Sequence, residues 1–178
     1  LEPLVWAHVC KANSWASIEA PGYGKGYVAV DEAWRTYLSG LDALRNDRGM
    51  TIVQIAHSEI MRFENPETDP YDRYRIKLHK RAASLLQEQS DVVGFINYRV
   101  ATVQSDAGFG AKIVRGTGSG ERVLYLAERP AFVAKNRYAM PASLVLPDNV
   151  NTWDVFKQHV PQLAHPQAAA PAPTKPTL

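Results

Sequence analysis

The chain has 178 residues, 46% of them hydrophobic, and its 20 Lys and Arg against 18 Asp and Glu leave a net charge of +2. That is enough length and apolar content for one domain with a core, and the even charge balance excludes attraction of polyanions by net charge alone, so a basic surface must be a local cluster. The single cysteine, Cys10, rules out an internal disulfide, argues against a cysteine-based zinc site and fits a reducing cytoplasm. No apolar run approaches membrane-spanning length, and no signal-peptide pattern is present.

The chain opens on LEPLVWAHVC without a cap or polar lead-in, which reads as a chain entered in mid-fold. His8 precedes Cys10 by two residues, but two ligands without further partners do not make a metal site. Residues 22–27, GYGKGY, carry three glycines and a lysine. A phosphate-binding loop needs G-x-x-x-x-G-K-[ST]; here the first glycine would fall on Glu19 and the residue after Lys25 is Gly26, so Lys25 is not a Walker lysine. From Asp31, a candidate N-cap, Trp34, Tyr37, Leu38, Leu41 and Leu44 keep a helical period that Gly49 stops. TIVQIA, 51–56, is a β-branched run that predicts a buried strand. Residues 58–75, with two prolines and many charges, read as a long functional loop.

A helical pattern resumes over 76–89 through Leu78, Ala82, Leu85 and Leu86, followed by a long strand over 91–103. Turns are expected at 105–110 and 116–120. Around them AKIV, RVLYLA and AFVAK suggest an antiparallel meander. Residues 151–160 predict a closing helix on Trp153, Phe156 and Val160. The Pro/Ala-rich residues 164–178 predict a flexible tail.

Several clusters carry candidate chemistry. Around Lys25, flexible glycines let the backbone approach a polyanion while Tyr23 and Tyr27 offer flat faces to bases; a solvated turn is the plain alternative. His57 follows the expected strand, where α/β proteins place ligand-facing groups. The mixture of Arg62, Phe63, Tyr71, Arg73, Tyr74, Arg75, Lys77 and Lys80 suits single-stranded nucleic acid, with cations on phosphate and rings on bases. Glu64, Glu67, Asp69 and Asp72 raise the alternative of a metal-dependent nuclease, although their spacing matches no ligand template. Lys135 and Arg137 alternate along an extended segment and so can clamp a phosphate from one side, unless they only keep an exposed edge soluble.

In this order, GYGKGYVAVDEAW, IVQIAHSEIMRFENPETDPYDRY, KLHKRAA, DVVGFINYRV and AKNRYAMP resemble the RecA-type recombinase ATPase core, and more narrowly the phage-encoded, RecA-like ATP-binding proteins implicated in single-strand annealing and recombination. The resemblance runs from about Leu1 to about Phe156. It implies an α/β fold: a partial RecA-like P-loop NTPase core with a mixed sheet and C-terminal antiparallel strands over 1–163.

It further implies that GYGKGY is the first DNA-binding loop and 58–75 the second, which assigns Tyr23, Lys25, Tyr27, Arg62, Arg73, Arg75 and Lys77 to single-stranded DNA. His57 stands where the family places its γ-phosphate sensor. Lys135 and Arg137 match the cations that reach the nucleotide of the neighbouring subunit in a head-to-tail ring or filament. ATP and Mg2+ are the implied cofactors, and the cytoplasm of a bacterial host the implied location.

The chain departs from the family in having no Walker A motif and no strand ending in the Walker B aspartate; Leu1-Glu2-Pro3-Leu4 resembles the segment just after that aspartate. The expectation is a C-terminal portion whose phosphate cradle, and most of the ATP and Mg2+ site, lie elsewhere. The rival reading is a DNA-binding or annealing module without ATPase activity.

Overall fold

A helix begins almost at once: α1 (Glu2–Ala12) has Pro3 in its first turn, where a missing N–H costs nothing, and Glu2 at the positive end of the dipole. The computed structural model describes residues 1–106, 112–160 and 163, and the described chain divides into two compact units, 1–91 with 130–132, and 92–129 with the remainder.

In the first unit α2 (Lys25–Arg48) buries Gly26, Val30, Trp34 and Leu38, one residue per turn along a single stripe. The helix therefore starts before Asp31, the expected cap. Asp31 instead lies inside it and accepts a hydrogen bond from Arg81 at 2.8 Å. Gly49 ends α2 in a left-handed conformation at φ 63°, as expected.

The strand expected over 51–56 does not form. Residues 49–57 are neither helix nor strand, and Val53 and Ile55 are 66% and 96% exposed. β-Branched residues favour a pleated surface only where a neighbouring strand completes the ladder. Among the described residues none lies beside this run.

The loop expected over 58–75 is instead a hairpin of β1 (Ser58–Asn65) and β2 (Thr68–Ile76). Its register runs from Ser58 opposite Ile76 to Asn65 opposite Thr68. Asn65 Oδ1 accepts from the Glu67 N–H at 3.0 Å and closes the turn. Pro70 falls where the register shifts, a place that tolerates a missing N–H. Because Ile76 closes the hairpin, α3 (Lys80–Gln89) starts later than the expected residue 76.

Val9, Ile18, Val30, Trp34 and Ala82 form the core of this unit, between α1, α2 and α3. Burying Trp34, 1% exposed, contributes on the order of 3 kcal/mol. Arg81 to Asp31, Gln89 to Asp42 and Arg45 to Asp91 tie the polar flank of α2 to α3 and the residues after it.

The second unit holds β3 (Val92–Val93) paired with β6 (Lys135–Asn136), and a sheet of β4 (Phe95–Asp106), β5 (Lys112–Tyr125) and β7 (Ser143–Leu146) in the order β4-β5-β7. All these ladders are antiparallel; a parallel pairing occurs as an isolated bridge between Tyr74 and Phe132 in the first unit. The expected turn at 116–120 is corrected to a bulge inside β5, where the register shifts opposite Tyr98 and Val100. A Cβ on Gly118 would lie 2.8 Å from the Arg99 carbonyl oxygen, so glycine permits the close strand approach there. AFVAK contributes Lys135 to a strand and Phe132 to that isolated bridge.

Leu124, Leu126, Met140, Leu144, Leu146 and Val160 form the second core, with Phe156 packed against it from α4 (Thr152–Lys157). Asn151 caps α4 by accepting from the Trp153 N–H at 3.1 Å. The turn expected at 105–110 lies largely, and the tail at 164–178 wholly, outside the described residues. No helix among the described residues is long and apolar enough to cross a membrane.

Candidate functional site

Gly22, Tyr23 and Gly24 are three successive left-handed residues, at φ 67°, 48° and 72°. The Lys25 N–H closes the turn onto the Gly22 carbonyl oxygen at 3.1 Å. Glycine adopts such angles freely, whereas tyrosine is strained there. The turn points the Tyr23 side chain fully into solvent, at 103% relative exposure, and Lys25 starts α2 with its own side chain exposed.

The third glycine of GYGKGY has another task. A Cβ on Gly26 would sit 1.9 Å from the Ile18 carbonyl oxygen, so Gly26 lets α2 pack against the preceding loop. Tyr27, half-buried, donates from its hydroxyl to Glu19 Oε1 at 3.3 Å. Its ring stacks on His79 at 4.5 Å and 6°, and meets Trp6 edge-on at 5.9 Å. The face expected to receive a base is thus engaged by His79. Burial raises the Tyr27 phenol above its ordinary value, and the Glu19 carboxylate adds to this by charge and by its hydrogen bond to the protonated form.

The stack joins the 22–27 turn to the segment entering α3. His79 is held there by its own N–H, which donates to Glu2 Oε1 at 2.8 Å. Sequence reasoning missed Glu2, Glu19 and His79; the one available cue was a polar residue, His79, just before the helical period of α3.

His57 and Lys77 are brought together at the open end of the hairpin, where the His57 carbonyl oxygen accepts from the Lys77 N–H at 2.8 Å. Both side chains are exposed. His57 does not stand at the end of a central strand, because the preceding residues form no strand.

The arginines of the hairpin are turned to neighbours. Arg75 pairs with Glu59 at 3.0 Å and Arg62 with Asp72 at 3.7 Å, both directly across the ladder. Arg73 donates to the Phe132 carbonyl oxygen at 3.1 Å and lies 5.1 Å over the Phe63 ring. Lys25 and Lys77 have no ion pair among the described residues. At the hairpin tip Glu64, Glu67 and Asp69 are exposed, and no three His, Cys, Asp or Glu converge as a metal would require among the described residues. A cavity of about 300 Å³ lined by Leu4, Val5, His8, Ala33 and Thr36 includes none of the candidate residues.

Lys135 and Arg137 belong to the second unit. Lys135 is opposite Val93 in the short ladder of β6, half-buried, and Arg137 is exposed just beyond it. Between them Asn136 donates from Nδ2 to the Met140 carbonyl oxygen at 2.9 Å and accepts at Oδ1 from the Tyr138 N–H at 2.9 Å.

A family model described as an AAA domain matches residues 1–138, a span that takes in every candidate residue from Tyr23 to Arg137. The chain belongs to the AAA domain family. No curated protein and no solved structure matches it.

An AAA domain is a nucleotide-binding, P-loop ATPase-type domain, and its mixture of helices with small antiparallel sheets is compatible with part of such a domain. The residues present do not fit the phosphate cradle of a bound ATP and Mg2+. In GYGKGY the Lys25 N–H is spent on Gly22, and Gly26 is packed by Ile18. Of the candidate cations, Lys25 and Lys77 lie in one unit and Lys135 and Arg137 in the other.

Proposed function

We propose that this AAA domain is part of a RecA-type ATPase of the phage recombination class that handles single-stranded DNA, as a head-to-tail ring or filament in a bacterial cytoplasm. The observation that carries the proposal is the 22–25 turn, whose strained backbone holds Tyr23 wholly in solvent beside Lys25, which has no ion pair among the described residues. Strain that exposes a ring gives the fold no stability, whereas a ring next to a cation is what stacks on a base while its phosphate is neutralised.

Lys77, with His57 beside it, extends the cationic surface, and Arg62, Arg73 and Arg75 join it by exchanging an internal partner for phosphate. Tyr27 supports the turn rather than meeting a base. ATP and Mg2+ are held mainly by a phosphate-binding loop that these 178 residues do not contain, and Lys135 and Arg137 supply positive charge to the nucleotide of a neighbouring copy. The missing cradle also favours a second reading, a DNA-binding module without ATPase activity, in which all these cations meet only DNA.

The test is the affinity of the chain for an oligothymidylate across a range of salt. Each phosphate neutralised contributes about 0.7 to the slope of log K on log salt for single strands. Substituting Lys25→Ala and Lys77→Ala together is expected to lower that slope by about 1.4. An unchanged slope refutes the DNA surface.

A further inference from the structure

We infer that Asn136 is a positioning residue that fixes Lys135 and Arg137 as a phosphate-binding pair. Lys135 is held from the N-terminal side by its ladder partner Val93. Beyond Arg137 the chain turns back sharply, and Ala139 is forced to φ 54°, a left-handed conformation that a Cβ disfavours. Two hydrogen bonds from the one Asn136 side chain close this turn, one to the Met140 carbonyl oxygen and one from the Tyr138 N–H.

Those partners fix the amide's orientation, since a carbonyl needs the NH2 group and an N–H needs the oxygen. Asn136 is half-buried and Met140 is 7% exposed and packed in the core of the second unit, so the clamp ties an exposed cation to a rigid base. Arg137 is bracketed between its two ends. A guanidinium whose backbone is held at both sides loses less freedom on meeting a phosphate.

The inference rests on the reading of Lys135 and Arg137 as phosphate-binding. The phosphate itself has two sources, a nucleotide or the DNA backbone, and binding of ATP and of oligothymidylate by the protein distinguishes them. Asn136→Ala is expected to weaken one of these ligands about five- to tenfold, the worth of a lost hydrogen-bonded clamp, and to speed exchange of the Tyr138 amide hydrogen.

Adding Ala139→Gly, which adopts the left-handed turn without the clamp, is expected to restore most of that affinity. A merely stabilising role for Asn136 would lower the melting temperature while leaving affinity, measured well below it, unchanged. If Asn136→Ala does not fold, Asn136→Ser decides: its hydroxyl still accepts from Tyr138 but releases Met140, and about a threefold loss is expected.

Asn136 variants that bind both ligands like the wild type, while Arg137→Ala weakens one, overturn the role of Asn136 and leave the phosphate reading standing. If Lys135→Ala and Arg137→Ala also bind both ligands like the wild type, the phosphate reading fails first. Loss of affinity for ATP alone or for the oligonucleotide alone supports the inference and names the source.

Discussion

Replacing Tyr23 by asparagine separates the cost of the 22–25 turn from its use. Tyr23 has φ 48°, between two glycines that are also left-handed. An L residue with a bulky side chain gives up about 1 kcal/mol there, while asparagine tolerates the region and, unlike glycine, adds little freedom to the unfolded chain. The ring is fully exposed, so no packing is lost with it. Tyr23→Asn is therefore expected to raise the free energy of unfolding in urea by about 0.5–1 kcal/mol.

The same substitution removes a stacking ring worth about 1–3 kcal/mol per base. Affinity for oligothymidylate, followed by fluorescence anisotropy, is expected to fall at least about fivefold. Stability and binding thus move in opposite directions. A destabilised variant refutes the strain; a stabilised variant with unchanged affinity refutes the stacking role.

Gly26→Ala drives a Cβ to 1.9 Å from the Ile18 carbonyl oxygen, and the required shift of backbone is expected to cost about 2–3 kcal/mol in urea unfolding; an unchanged midpoint contradicts the packing of α2 on the preceding loop. Tyr27→Phe alters alkaline stability. Because folding raises the Tyr27 phenol, its contribution is full below the ordinary tyrosine value of about 10 and is lost as pH rises through the higher folded value. Unfolding followed from neutral pH into that range is expected to show a steeper decline for the wild type than for the variant, and parallel curves refute the Glu19 contact.

α2, α3 and α4 were legible because each lays one apolar face on a core, whereas α1, over the opening LEPLVWAHVC, was not legible as a helix. Trp34 and Leu38 announce α2 by spacing alone, and Leu85 with Leu86 announces α3. The ends were not: Asp31 has the chemistry of a cap but is claimed by Arg81 on another helix, a contact that no local pattern contains. The hairpin at 58–76 was not legible: its two prolines and its density of charge make it read as a loop. Four of those charges, Glu59 with Arg75 and Arg62 with Asp72, are cross-strand partners, a pattern that stays hidden until the register is known.

TIVQIA shows the opposite error, because strand propensity is a statement about a neighbour as well as about a segment. Of the candidate site, the exposure of Tyr23 and Lys25 followed from GYGKGY. The diversion of Gly26 and Tyr27 to packing, and the clamp at Asn136, depend on residues distant in sequence or on turn geometry.

The hairpin is also a polar object with two ends. Along its length arginine and carboxylate fields cancel beyond about one Debye length, near 10 Å at moderate salt. Its tip carries the exposed Glu64, Glu67 and Asp69, and its root carries Lys77 with the exposed Lys80 following. If the partner is a polyanion, as proposed, the tip repels it and the root attracts it, which would steer encounter to the place where the chain enters and leaves the hairpin. Under the proposed DNA reading, first contact falls to the lysines, and a later grip along the ladder to Arg62 and Arg75, which must first release Asp72 and Glu59.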